Sequence, residues 1–146
     1  MVNKPPRISP DVRARLDLAR VARLATVDSE QKPHVIPVCF VRDGSLFYSA
    51  MDRKPKRVAP SRLARLKNIQ ENSRVALLVD HYEEAWARLW YILVRGEAKL
   101  VTGAAERKRA IRRLRAKYPQ YDTSILADDA PVLRITPVRV IAWGKL

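Results

Sequence analysis

The stretch RLATVDSEQKPHVIPVCFVRDGSLFYSAM, residues 23–51, most limits what this chain can become. Three β-branched or aromatic runs, Leu24 to Val27, HVIPVCFV over 34–41 and SLFYSAM over 45–51, are separated by the polar Asp28-Ser29-Glu30-Gln31-Lys32-Pro33 and by Arg42-Asp43-Gly44-Ser45. Parallel neighbours need crossovers of about a dozen residues or more, and neither connection is that long. Asp-Gly between apolar runs is a strong hairpin signal. The spacing therefore predicts three consecutive strands in an antiparallel meander.

The remainder alternates helix and strand signals. Ser9-Pro10-Asp11, followed by Val12, Leu16 and Val21, predicts a short amphipathic helix over about 10–20. SRLARLKNIQEN places Leu63, Leu66 and Ile69 three apart, with Ser61 able to cap and Asn72 to terminate. RVALLVDHY reads as a strand, and ARLWYILVRGEAKLVTG as one long strand or a bent pair with Gly96 at a bulge or turn. GAAERKRAIRRLRAKYP is a helix stopped by Pro119, and VLRITPVRVIAWGKL closes the chain as strand, with Pro137 marking an edge or bulge. About six antiparallel strands with helices at the connections predict a mainly β fold, a small barrel with peripheral helices, as one domain over 1–146.

A chain of 146 residues can bury a sufficient core without staples. The lone Cys39 has no partner for an internal disulfide, and no apolar leader or membrane-length run is seen, so the expectation is a protein of the reducing cytoplasm. The net charge of +14 attracts anions.

Most catalytic chemistries lack their residues. The histidines are His34 and His81, no nucleophile elbow occurs, and Cys39 sits between Val38 and Phe40. Asp80, His81, Glu83 and Glu84 are metal-capable, yet without paired histidines at helical spacing they read as a solvated turn, so no metal is expected. The four glycines, Gly44, Gly96, Gly103 and Gly144, are too dispersed for a nucleotide loop. What stands out is Arg53, Lys54, Lys56 and Arg57, directly after a strand and before the helix at Ser61, with Arg65, Lys67 and Asn68 in its first turns. Helix N-termini carry unpaired N–H groups and partial positive charge, so this arrangement can clamp a phosphate. A solvated basic face is the alternative.

These residues resemble a family. Residues 32–38 of the KPHVIPV strand, and the passage from Arg65 to Val75 with its basic residues and two asparagines, look like the pyridoxamine 5'-phosphate oxidase-like split barrels, and within them the flavin- or deazaflavin-dependent oxidoreductases. The likeness covers about residues 15–146. Ser73 replaces the usual proline and Arg65 stands where many relatives have lysine; arginine keeps the charge and adds a planar fork.

The resemblance implies a six-stranded split barrel of the FMN-binding type, and a homodimer with cofactors in grooves between the barrels. It assigns the cofactor phosphate to Lys54, Lys56, Arg57, Arg65, Lys67 and Asn68, and the ring to His34, Val35, Pro37 and Val38. Residues 48–51, from Tyr48 to Met51, would line the same groove. Trp86 and Trp90 of the second subunit would cover ring or substrate, or form dimer core. The implied activity is hydride transfer between a small organic substrate and the deazaflavin coenzyme F-420, first choice because its long anionic tail suits the cation surplus, with FMN second. No catalytic residue is assigned, since the ring itself carries the hydride. The alternatives are a cofactor carrier without turnover and a nucleic-acid-binding protein using ERKRAIRRLRAK, residues 106–117.

Overall fold

The computed structural model describes residues 4–52 and 60–146, with backbone only for 60–63. Helix α1 (Pro10–Leu18) starts where Ser9 caps it, its hydroxyl accepting from the Val12 N–H at 3.3 Å, with Pro10 in the first turn. Strands β1 (Ala22–Val27) and β2 (Pro33–Val38) form the first hairpin, β3 (Val41–Asp43) and β4 (Leu46–Ala50) the second. Gly44, at φ 62°, supplies the left-handed residue of that second turn. Helix α2 (Pro60–Glu71), β5 (Arg74–His81), β6 (Trp90–Leu100), α3 (Ala104–Lys117) and β7 (Val132–Gly144) complete the chain.

All pairings are antiparallel, in the order β2-β1-β5-β6-β7-β4-β3. Two expectations are corrected here. The sheet has seven strands rather than six, because the run over 34–41 is two strands, and the three-strand meander does not form, because the two hairpins lie at opposite edges. Only Cys39 and Phe40 separate the edge strands β2 and β3. Three residue steps reach at most about 11 Å, so the sheet must curl until its edges nearly meet. The edges are not paired with each other, which leaves the barrel split.

The physical reason for the break lies on α3's C-terminal cap. The Tyr118 hydroxyl accepts from the Phe40 N–H at 3.1 Å and lies 3.1 Å from the carbonyls of both Phe40 and Arg20, to which its single proton can be donated. Backbone groups that leave the ladder at the crossing are thereby satisfied.

Alternation along the strands separates two cores. Leu24, Val38, Phe47, Leu77, Ile92, Val94, Leu133 and Ile135 fill the barrel, joined by Val12 and Leu16 of α1 and Ile69 of α2. On the outer face, α3 and the segment after it cover β4 and the start of β7 through Tyr48, Ile111, Leu114, Tyr118, Tyr121, Leu126 and Val132. The predicted bulge is present: the β6–β7 register shifts between Arg95 and Gly96, with Gly96 opposite Pro137. A Cβ on Gly96 would lie 2.4 Å from the Thr136 carbonyl oxygen, so only glycine allows this approach. Pro137 lies beyond the β4 pairing, which ends at Ile135.

Candidate functional site

Helix α2 is fastened to β1 by a buried polar contact: Asn68 Nδ2 donates to Thr26 Oγ1 at 3.2 Å. Asn68 is 6% exposed and Thr26 1%. Thr26 stands opposite His34 in the β1–β2 register, so the half-buried imidazole shares the inward face with this contact. His34 Nε2 is shut off from solvent and has no hydrogen-bond partner among the described residues.

One turn earlier on the same face of α2, the Arg65 guanidinium is buried, and its Nη2 lies 2.8 Å from Met51 Sδ. Met51 ends the second hairpin's inward-facing series, its N–H bonded to the Pro131 carbonyl at 2.9 Å. The next residue, Asp52, accepts a short hydrogen bond from the Tyr121 hydroxyl. Burial and the adjacent carboxylate both push the Tyr121 phenol far above its ordinary range, so it stays a donor. The chain entering 53–59 is thus held on one side by Tyr121 and Pro131, and Met51 touches Arg65. Lys54, Lys56 and Arg57 lie outside the described residues. Lys67 is exposed, whereas Arg65 and Asn68 are buried, so the α2 trio divides between two faces.

The β2 candidates also divide. His34 and Val38 face inward with Ile36, and Val38 belongs to the barrel core. Val35 and Pro37 face outward, Val35 at 60% exposure. Pro33 and Pro37 have no N–H to give a ladder, and prolines in edge strands sit where the N–H would face solvent. Val35 shares their alternation, so its N–H and the carbonyls of these residues lie on the open edge of β2.

Val35 and Pro37 border a wider uncovered face. Opposite Pro37 and Val35 lie Arg23 and Ala25, then Leu78 and Ala76 of β5, then Leu93 and Arg95 of β6, then Ile141 and Arg139 of β7. Tyr91 and Trp143 stack above them with ring centres 5.7 Å apart, and Trp143 is 54% exposed.

Tyr48 does not share a groove with Met51. It points to the other face of β4, 1% exposed under α3, and its hydroxyl donates to Glu106 at 3.1 Å. Arg134 binds the same carboxylate at 2.7 Å and holds it below the usual carboxylate range. Trp86 is 69% exposed on a single 3-10 turn (Trp86–Arg88). Trp90 belongs to the chain's own core, stacked on His81 at 6.0 Å with the Arg15 guanidinium 5.2 Å from its ring centre. His81 Nε2 in turn lies 2.6 Å from Glu83. Among the described residues no cluster of three or more His, Cys, Asp or Glu side chains could hold a metal, and no helix is long and apolar enough to cross a membrane.

Sequence reasoning missed Thr26 and Tyr121. Thr26 carries a readable signal, a β-branched hydroxyl at an inward strand position. Tyr121 carries none, since its partner Asp52 is remote in sequence.

A sheet curled until its edges nearly meet, with an open edge strand and a buried cation on the inward face of α2, defines a class, the split barrel of the flavin-binding type. The sequence model of pyridoxamine 5'-phosphate oxidase matches residues 8–144, and the chain belongs to that family. No curated protein matches it in sequence. Similar solved structures include the heme storage protein HutZ of Vibrio cholerae, at 17% identity and TM-score 0.71, covering 96% of both chains. An FAD-binding protein of Mesorhizobium loti is 17% identical with TM-score 0.67, covering 92% of this chain and 94% of that one. An F-420 reductase is 22% identical with TM-score 0.65, over 92% of this chain and 98% of its own. At these identities the likeness is one of fold.

Proposed function

We propose that this protein is an oxidoreductase that binds the deazaflavin coenzyme F-420 and transfers a hydride between it and a small organic substrate. The observation that carries the reading is the convergence, at one end of the barrel, of the buried Arg65, the Asn68–Thr26 contact, the unpartnered Nε2 of His34 and the open edge of β2. A guanidinium held away from water meets an arriving phosphate in a low-dielectric setting, where the attraction is strongest. Arg65 would take that phosphate with Asn68, alongside Lys54, Lys56 and Arg57, which precede α2 in sequence, and, from the rim, Lys67.

The group would supply hydride donation and acceptance at its own ring. The chain's part is to position it. The Val35 N–H and the carbonyls flanking it on the β2 edge form a donor and acceptor series suited to the pyrimidine end of a flavin or deazaflavin ring. His34 would present its Nε2 beside it, and Val38 and Met51 would exclude water from the inward side.

The uncovered sheet face supports a homodimer, because an apolar patch rimmed by polar residues on an otherwise charged chain marks an interaction surface. Val35, Pro37, Leu78, Leu93, Ile141 and Trp143 would meet their counterparts there, and Trp86 would reach the partner's groove. Tyr48 and Trp90 would act only through packing.

The +14 charge favours the longer anion of F-420 over the single phosphate of FMN. FMN is the second reading, supported by membership of a flavin-binding family. Equilibrium titration of the apoprotein with each, followed by fluorescence at physiological salt, tests the choice. Saturable binding of F-420 in preference to FMN supports the proposal, and binding of FMN alone replaces it. Bound cofactor without turnover of any substrate would make the protein a carrier.

A further inference from the structure

We propose that the groove along α3 is a second anion site, which binds a compact chain of linked phosphates through Arg107, Lys108 and Arg112. The groove encloses about 510 Å³ and is lined by Ala104, Arg107, Lys108, Ile111, Arg112, Arg115 and Asp128, none of which belongs to the candidate cofactor site.

The helix's seven cations divide by what they touch. Arg109 and Arg113 both reach Asp43 at 3.2 Å. Arg115 spans Asp128 at 2.8 Å and the Leu126 carbonyl, and Lys117 donates to the Leu16 carbonyl at 3.3 Å. The side chains of Arg107, Lys108 and Arg112 form no ion pair or hydrogen bond among the described residues. Lys108 and Arg112 are four apart, a like-charge spacing that costs helix stability. The helix's acid, Glu106, is turned away to Arg134 and Tyr48, and the one carboxylate among the described residues lining the groove, Asp128, is already held by Arg115. Cations kept close together, without a counter-charge, on the rim of a concavity suit a ligand of closely spaced negative charges.

The same geometry argues against an extended polyanion. From Arg107 to Arg112 the helix rises only about 7.5 Å, and the cations that would prolong the stripe are turned to Asp43 and Asp128. Among the described residues, no aromatic side chain lines the groove to stack a base. A short phosphate chain, inorganic or carried by a nucleoside, fits better than nucleic acid.

Isothermal titration of the full chain with inorganic tripolyphosphate and with ATP, at physiological salt, tests this. The expected result is saturable binding of one tripolyphosphate per chain, weakened about tenfold or more by Arg112→Ala or Lys108→Ala. Asp128→Asn should tighten it a few fold, a gain that misfolding cannot mimic. Arg139→Ala, which removes an equal charge from the sheet face, should leave it unchanged. Equal affinity for the two ligands identifies the phosphate chain alone, and tighter ATP binding adds a nucleoside contact; each supports the site. Absence of saturable binding would overturn the proposal. So would equal weakening by Arg139→Ala, or displacement of tripolyphosphate by duplex DNA with a salt slope demanding more than three phosphates.

Discussion

The Tyr118 hydroxyl receives the Phe40 N–H at 3.1 Å, and on this contact the chain passes from one edge of the sheet to the other. Removing the hydroxyl leaves the Phe40 N–H buried and unpaired at the crossing. Tyr118→Phe should therefore cost about 1–3 kcal/mol by urea denaturation, although the ring stays. A loss below the error of the measurement would mean that water replaces the hydroxyl.

Asn68→Ala removes the bond to Thr26 Oγ1 and should cost about 1–3 kcal/mol. Because the same residue is assigned to the phosphate, cofactor affinity should fall as well. Thr26→Val should reproduce the stability loss while sparing most of the affinity, since valine cannot bond Asn68 but keeps the strand packed. Equal affinity losses in both variants would make Asn68 purely structural.

Gly96→Ala should destabilise the chain by about 2–4 kcal/mol, because its Cβ would overlap the Thr136 backbone. The neighbour is main chain in the centre of the sheet and cannot rotate aside. Thermal unfolding of the variant reads this directly.

Lys117 gives stability a pH dependence of known sign. Burial, reinforced by Arg20, lowers its ammonium from 10.5 to about 8. Above about pH 8 the folded chain has released a proton that the unfolded chain still holds, so unfolding free energy should rise as pH rises from 8 toward 10. The buried Tyr118, raised to about 12, works the other way only above pH 10. Denaturant midpoints between pH 7 and 9.5 should therefore climb for the wild type and stay flat for Lys117→Met.

If the open sheet face joins two copies, Leu93→Asp should yield a folded monomer by sedimentation, at concentrations where the wild type is dimeric. The carboxylate would lose its hydration within that interface. An unchanged mass would assign the face to something other than a second copy.

Much of this architecture was legible because its signals are local. The Asp43-Gly44 turn, the long strand bulged at Gly96 and the helix ended by Pro119 each depend on residues adjacent in sequence. The crossing at Cys39 and Phe40 was not, since β2 and β3 form one unbroken apolar run whose partner hydroxyl lies 78 residues away. Within the site, Arg65 and Asn68 were readable as an i, i+3 pair, whereas the exposed position of Lys67 follows from how α2 packs on β1. Tyr48 and Met51 are close in sequence, but odd spacing in a strand puts them on opposite faces. Trp86 and Trp90, four apart, would be neighbours on a helix, but a 3-10 turn and the start of β6 send one to solvent and the other to the core.

The most direct test of the central claim is a parallel titration of wild type and Arg65→Met with F-420. Methionine is of similar length and apolar, so it keeps the packing of the inward face of α2 while removing the guanidinium. The variant should still unfold cooperatively in urea and bind F-420 at least about tenfold more weakly. Undiminished affinity in a folded variant would contradict it, and the phosphate would then have to be held without the inward face of α2.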